Sequence, residues 1–148
     1  MKVIVIGIGQ TMRGDDGAGI SAVRSWQQSF PHTAQGSDVS VQFAELPGLN
    51  LLDLLEGFEG AVLVDAVDAA SVPGTIYRLG PADLAAFTSA SHSAHGWGVA
   101  ETLELAQQLK PDRDMIPIRL ARRCGGVMSA IAPCRVEMLP AKTPWTSA

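Results

Sequence analysis

The chain has 148 residues, 47% of them apolar and 18% charged, with a formal net charge of −4. That length suits one domain with its own core, and the composition excludes a disordered chain. The acidic balance without any Lys/Arg-rich run speaks against nucleic acid as a partner, and the apolar runs are too short and too broken by Gly to span a membrane.

Residues 2–8 are apolar and β-branched on both faces, the pattern of a strand covered on both sides. This stretch comes too early for a signal peptide with a polar region and a cleavage site, so a cytoplasmic protein is expected. Gly7, Gly9 and Gly14 then punctuate a loop. Over 15–30, Ile20, Val23, Trp26 and Phe30 recur at three and four, a helical stripe that Asp15 or Asp16 would cap and Pro31 would stop. Residues 33–37 read as a polar loop. Val39, Val41 and Phe43 alternate with less apolar neighbours and predict a second strand over 38–46, turned by Pro47-Gly48. Leu51, Leu52 and Leu55 predict a short helix over 50–58, and 60–67 reads as a third buried strand. Pro73-Gly74 turns the chain into a fourth strand over 75–79, and Pro81 opens a short helix. A Ser-, His- and Gly-rich loop leads to a helix over 99–109, striped by Val99, Leu103, Ala106 and Leu109 and ended by Pro111. A fifth strand is expected over 115–121.

Strand and helix alternate, which implies crossover connections and a largely parallel sheet with helices on both faces. Residues 122–148 differ: they carry Gly125-Gly126, Pro133, Pro140 and Pro144, no helical stripe, and at most short strands over 127–131 and 135–139. Cys124 and Cys134 have nine residues between them, which fits neither a C-x-x-C motif nor a four-ligand zinc site; two reduced thiols are expected.

Three stretches carry candidate chemistry. In residues 7–19, Met12 breaks the dinucleotide-binding G-x-G-x-x-G pattern. Gly9 and Gly14 have the spacing of a phosphate-binding loop, but Asp15-Asp16 stands where Lys-Ser/Thr would be, and two carboxylates repel a phosphate. A metal cation suits them better, with helix capping as the alternative. Asp65 follows an apolar strand and so sits at the carboxyl edge of the sheet, where a charge is costly unless paired or metal-bound. Asp68 reads as a solvated turn residue. The loop over 91–98 carries His92 and His95, each able to ligate a metal or act as a base. One imidazole with two carboxylates makes a three-ligand site with open positions. His32 reads as a surface residue, and neither G-x-S-x-G, H-E-x-x-H nor a Cys beside a His is present.

Together these stretches resemble the hydrogenase maturation proteases, endopeptidases that finish the large subunit of nickel–iron hydrogenases. The resemblance rests on Gly7-Ile8-Gly9 with Gly14-Asp15-Asp16-Gly17-Ala18-Gly19, on Leu63-Val64-Asp65-Ala66-Val67-Asp68, on Pro73-Gly74-Thr75, and on His95-Gly96-Trp97-Gly98-Val99-Ala100-Glu101-Thr102-Leu103. It covers residues 1–121 and implies a single-domain three-layer α/β sandwich, its twisted, mostly parallel five-stranded sheet between helices. It also implies a metal-binding trio of Asp16, Asp65 and His95, with Asp16 alternatively a general base. Gly9, Gly14, Asp15 and Trp97 are expected to face the substrate, Trp97 equally well the core, and whether His92 substitutes for His95 stays open. Nickel is expected to be recognised in the substrate, with no tightly bound cofactor. The implied partner is the nickel-loaded large-subunit precursor, whose C-terminal extension is removed by a monomeric enzyme that neither binds nucleic acid nor enters a membrane. Two other readings stay open: a non-catalytic binding protein or chaperone for that precursor, and a nucleotide-binding α/β domain. The family pattern has Asn where this chain has Gln10, and it continues after the fifth strand into a long C-terminal helix that 122–148 does not resemble. Divergence or an altered reading frame would each account for that tail.

Overall fold

A computed structural model describes residues 1–67, 74, 76–79, 98–109 and 118–122. The order of elements is β1 (Val3–Ile8), a 3-10 segment (Thr11–Gly17), α1 (Ala18–Ser29), α2 (Pro31–Ala34), β2 (Val39–Ala44), α3 (Asn50–Leu55), β3 (Gly60–Val64), β4 (Ala66–Val67), β5 (Ile76–Leu79), α4 (Val99–Leu109) and β6 (Ile118–Arg122). Among the described residues, no helix is long and apolar enough to cross a membrane.

The fold is α/β with a parallel sheet. β1 lies between β2 and β3, and both pairings are parallel, with Val3 opposite Val39 on one side and Gly60 on the other. A second set has the order β4-β6-β5, with β4 parallel to β6 and β5 antiparallel to it. β6 lies beside β3. The antiparallel β5 fits within a mostly parallel arrangement; an antiparallel edge strand on a parallel sheet is common.

The run of β-branched residues in β1 follows from what covers it. Ile4, Ile6 and Ile8 point to one face and pack with Ala44, Leu51, Ala61, Leu63 and Leu103, with Leu54 and Val99 against them, so α3 and α4 cover that side. Val5 points to the other face and packs with Val23, Trp26 and Ala34, so α1 and α2 cover it. The alternation is that of any strand, but both of its phases are apolar because neither face meets water.

Several boundaries move, each for a local reason. The stripe of Ile20, Val23 and Trp26 is buried as its spacing predicts, but α1 stops at Ser29 and Phe30 is exposed. Pro31 both ends α1 and opens α2, where its missing N–H is one the first turn leaves unpaired anyway. Part of the expected polar loop over 33–37 is therefore helix, and Ala34 joins the core. β2 is shorter than 38–46, and α3 ends at Leu55 instead of 58. The third strand is interrupted at Asp65, where pairing passes from β1, last at Val64, to β6, first at Ala66, and the Ala66 N–H donates to the Asp65 carboxylate at 2.7 Å. The helix over 99–109 stands where its stripe puts it, and β6 replaces the fifth strand expected over 115–121 with a start at Ile118. The helix expected from Pro81 and the tail beyond Arg122, including Cys124 and Cys134, lie outside the described residues.

Leu63 has no exposed surface and bridges the sheet to α3 and α4. Leu63→Ala is expected to lower the unfolding free energy by about 2–5 kcal/mol. Phe30→Ala, at an exposed position, should change it by less than about 0.5 kcal/mol. Urea denaturation of the two variants checks both.

Candidate functional site

β1 and β3 run parallel, so their carboxyl ends share one edge of the sheet. The chain leaves β1 there through Gly9 and enters the 3-10 segment, while β3 ends there at Val64, one residue before Asp65. Three close approaches fold the segment onto that edge. Gly9 has φ +138°, and a Cβ on it would run into the Asp16 carbonyl. A Cβ on Gly17 would come within 3.1 Å of the Thr11 Cα. A Cβ on Gly19 would meet the carbonyl oxygens of both Ile8 and Val64, so the start of α1 rests directly on the ends of β1 and β3. Gly14 has φ 59° and ψ −114°, a kink that a side chain resists even though nothing crowds it.

The segment carries Asp15 and Asp16, both half-buried. Neither caps α1: the cap position is Gly17, no side chain bonds there, and the Ala18 N–H donates to the backbone carbonyl of Asp15. Both carboxylates are thereby left for other work. β4 packs against the 3-10 segment, and the charge of Asp16 is felt at Asp65. Burial pushes the Asp65 carboxyl up from 3.8 to about 6; the Ala66 N–H opposes that rise, and the Asp16 charge adds to it. Burial is the larger of the two effects that disfavour the ionised Asp65, and the Asp16 charge the smaller.

The start of α4 is fixed at a neighbouring point. Thr102 is wholly buried, and its hydroxyl donates to the Gly98 carbonyl at 2.9 Å and lies 3.3 Å from the Gly48 carbonyl. The first turn of α4 thus sits on the turn that follows β2. Thr11 makes a second link, its hydroxyl donating to Glu45 at 2.8 Å and tying the 3-10 segment to the residue just past β2. Neither Thr11 nor Thr102 was singled out by sequence reasoning, because an isolated Thr carries no periodic or motif signal.

Of the expected site residues, Asp16 lies close enough for its charge to act on Asp65, Asp15 adjoins Asp16 in the chain, and Gly14 is exposed on the same segment. Gly9 is buried, its N–H donating to the Ala44 carbonyl at 3.2 Å. His92, His95, Trp97 and Asp68 lie outside the described residues. Among the described residues, no three His, Cys, Asp or Glu side chains form a group that could hold a metal.

A family model described as hydrogenase maturation protease matches residues 44–125. The hydrogenase expression/formation protein HupD of Thiocapsa roseopersicina is 32% identical over 109 residues, 73% of this chain and 48% of that protein. HupD of Rhodobacter capsulatus is 30% identical over 138 residues, 88% of this chain and 64% of that protein. The chain thus spans between about half and two-thirds of the length of these relatives. Among solved structures, the hydrogenase maturating endopeptidase HybD from E. coli superposes with a TM-score of 0.60 at 17% identity, covering 84% of this chain and 74% of that one. A [NiFe] hydrogenase maturation protease HybD from Thermococcus kodakarensis gives 0.58 at 22% identity, covering 85% and 81%. At that identity the structures establish a shared fold.

The Asp65 carboxyl has a signed consequence for stability. Its folded value lies above its unfolded one, so the folded chain holds the proton more tightly, and stability falls as pH rises from about 4 to about 6. Asp65→Asn keeps an oxygen for the Ala66 N–H and removes the charge. The variant should match the parent near pH 4 and exceed its unfolding free energy at pH 8 by on the order of 3 kcal/mol; thermal melts across that range check it. Gly9→Ala and Gly19→Ala should each cost about 1–3 kcal/mol or more, since the carbonyls they meet are backbone and have nowhere to go. Chemical denaturation measures the loss.

Proposed function

The chain belongs to the hydrogenase maturation protease family, and from that membership we propose that it is an endopeptidase removing the C-terminal extension of a nickel–iron hydrogenase large-subunit precursor after nickel insertion. The observation that carries the reading is the meeting of Asp16 and Asp65 at the carboxyl edge of the parallel sheet, neither spent on capping α1. His95 is the third member of the proposed trio. It precedes Gly98 by three residues, about 10 Å of extended chain, and Gly98 is held at the turn after β2 by Thr102.

In this reading nickel belongs to the substrate. Asp16, Asp65 and His95 meet its open positions, and Gly14, Asp15 and Trp97 line the approach, with Gly9 shaping the loop from beneath. A cation there would stabilise the ionised form of Asp65, which burial disfavours. Nickel in the substrate polarises the scissile carbonyl. With Asp16 as the general base in place of a ligand, water adds to that carbonyl carbon as Asp16 takes its proton, the C–N bond breaks, and the proton passes to the departing amine. No nucleophilic Ser or Cys is needed. The finer architecture proposed with this function is one twisted five-stranded sheet over 1–121 with helical layers on both faces, in a cytoplasmic monomer with 122–148 as a divergent tail.

The test is the intact mass of a nickel-loaded precursor before and after incubation with the protein. Loss of a C-terminal peptide is expected, and Asp16→Asn should slow it by roughly 10²–10⁴-fold. A precursor that co-purifies with the protein but keeps its mass would instead establish a non-catalytic binding protein.

A further inference from the structure

Large apolar side chains at a protein surface are unremarkable when scattered, but three gather on the loops beside the candidate site. Met12 on the 3-10 segment is 95% exposed, Leu46 just past β2 is 67% exposed, and Leu49 before α3 is 46% exposed. The hydrogen bond from Thr11 to Glu45 ties together the residues immediately preceding Met12 and Leu46. Leu46 has φ 51°, the left-handed region that a branched residue such as Leu resists. The fold therefore bears a backbone cost at Leu46 and recovers no buried side chain for it. Such strain persists where a bound partner uses it.

We propose that Met12, Leu46 and Leu49 form an apolar seat for the substrate polypeptide next to the scissile bond. This rests on the endopeptidase reading above and adds the surface that selects the substrate. The same loops carry the carboxylates of Asp15, Asp16 and Glu45 against the single guanidinium of Arg13. The segment seated there is accordingly apolar with basic neighbours. A second copy of this chain is the wrong occupant, because it would bring one acidic rim against another.

Steady-state cleavage of the nickel-loaded precursor tests the seat. Met12→Asp and Leu46→Asp should each raise KM by about tenfold or more, with kcat within about twofold and Tm unchanged. Phe30→Asp is the control: Phe30 is 49% exposed but follows the far end of α1, away from the site, and its KM and kcat should stay at the parent values. Leu46→Gly separates the demands of fold and substrate, since it relieves the left-handed strain and removes the side chain. Its Tm should rise while its KM rises several-fold. If the parent cuts the precursor and both Asp variants keep its KM, the seat is overturned and the endopeptidase reading stands. A parent dimer in light scattering that Leu46→Asp dissolves would also overturn it, in favour of a second copy. If the parent neither binds nor cuts the precursor, the endopeptidase reading fails and the seat fails with it.

Discussion

The site depends on how closely the start of α1 approaches the ends of β1 and β3. At Gly19 the helix backbone lies on the carbonyls of Ile8 and Val64 with no room for a methyl group between them, and at Gly9 the returning segment lies on the strand exit in the same way. This contact brings the 3-10 segment over the sheet edge, and with it Asp16 towards Asp65. A side chain at either glycine would lift the segment and separate the carboxylates. Close packing of backbone on backbone thus sets the distance over which the two charges act.

The core and the edge pull in opposite directions. Below the edge, isoleucines, valines, leucines and Trp26 bury both faces of the β2-β1-β3 sheet and supply most of the stability. At the edge, the chain keeps a carboxyl that burial and a neighbouring charge both disfavour in its ionised form. A fold selected for stability alone would place Asn or Thr there. Retaining Asp65 concedes stability at neutral pH, the usual trade between stability and function where a charged group is kept at a ligand-binding edge.

Much of the architecture was legible because it is local. The two-phase apolar pattern of β1, the stripe of α1 and the stripe of α4 each depend on a repeat that is visible within a dozen residues. The 3-10 segment was harder to read. Its apolar content is low, its glycines permit several conformations, and an acidic residue before a helical stripe has the composition of a cap. Capping and cation binding were equal expectations for Asp15 and Asp16, and the backbone does not use them as caps because Gly17 occupies that position. The interruption at Asp65 escaped because the apolar run continues through it while its pairing passes from β1 to β6, a change of partner that only the folded sheet shows.

The amino-acid order alone was enough for most of the strands and helices, the largely parallel central sheet, and the motif residues that mark the family. Those follow from short-range periodicity and from glycines and aspartates at fixed spacings. Tertiary structure alone decided that Asp16 and Asp65, 49 positions apart, share one environment, that Thr11 reaches Glu45 across 34 positions, and that Leu46 is held in a left-handed turn with its side chain in solvent. Burial and charge coupling are properties of everything packed around a group. They exist only once the chain has closed, and no window of sequence contains them.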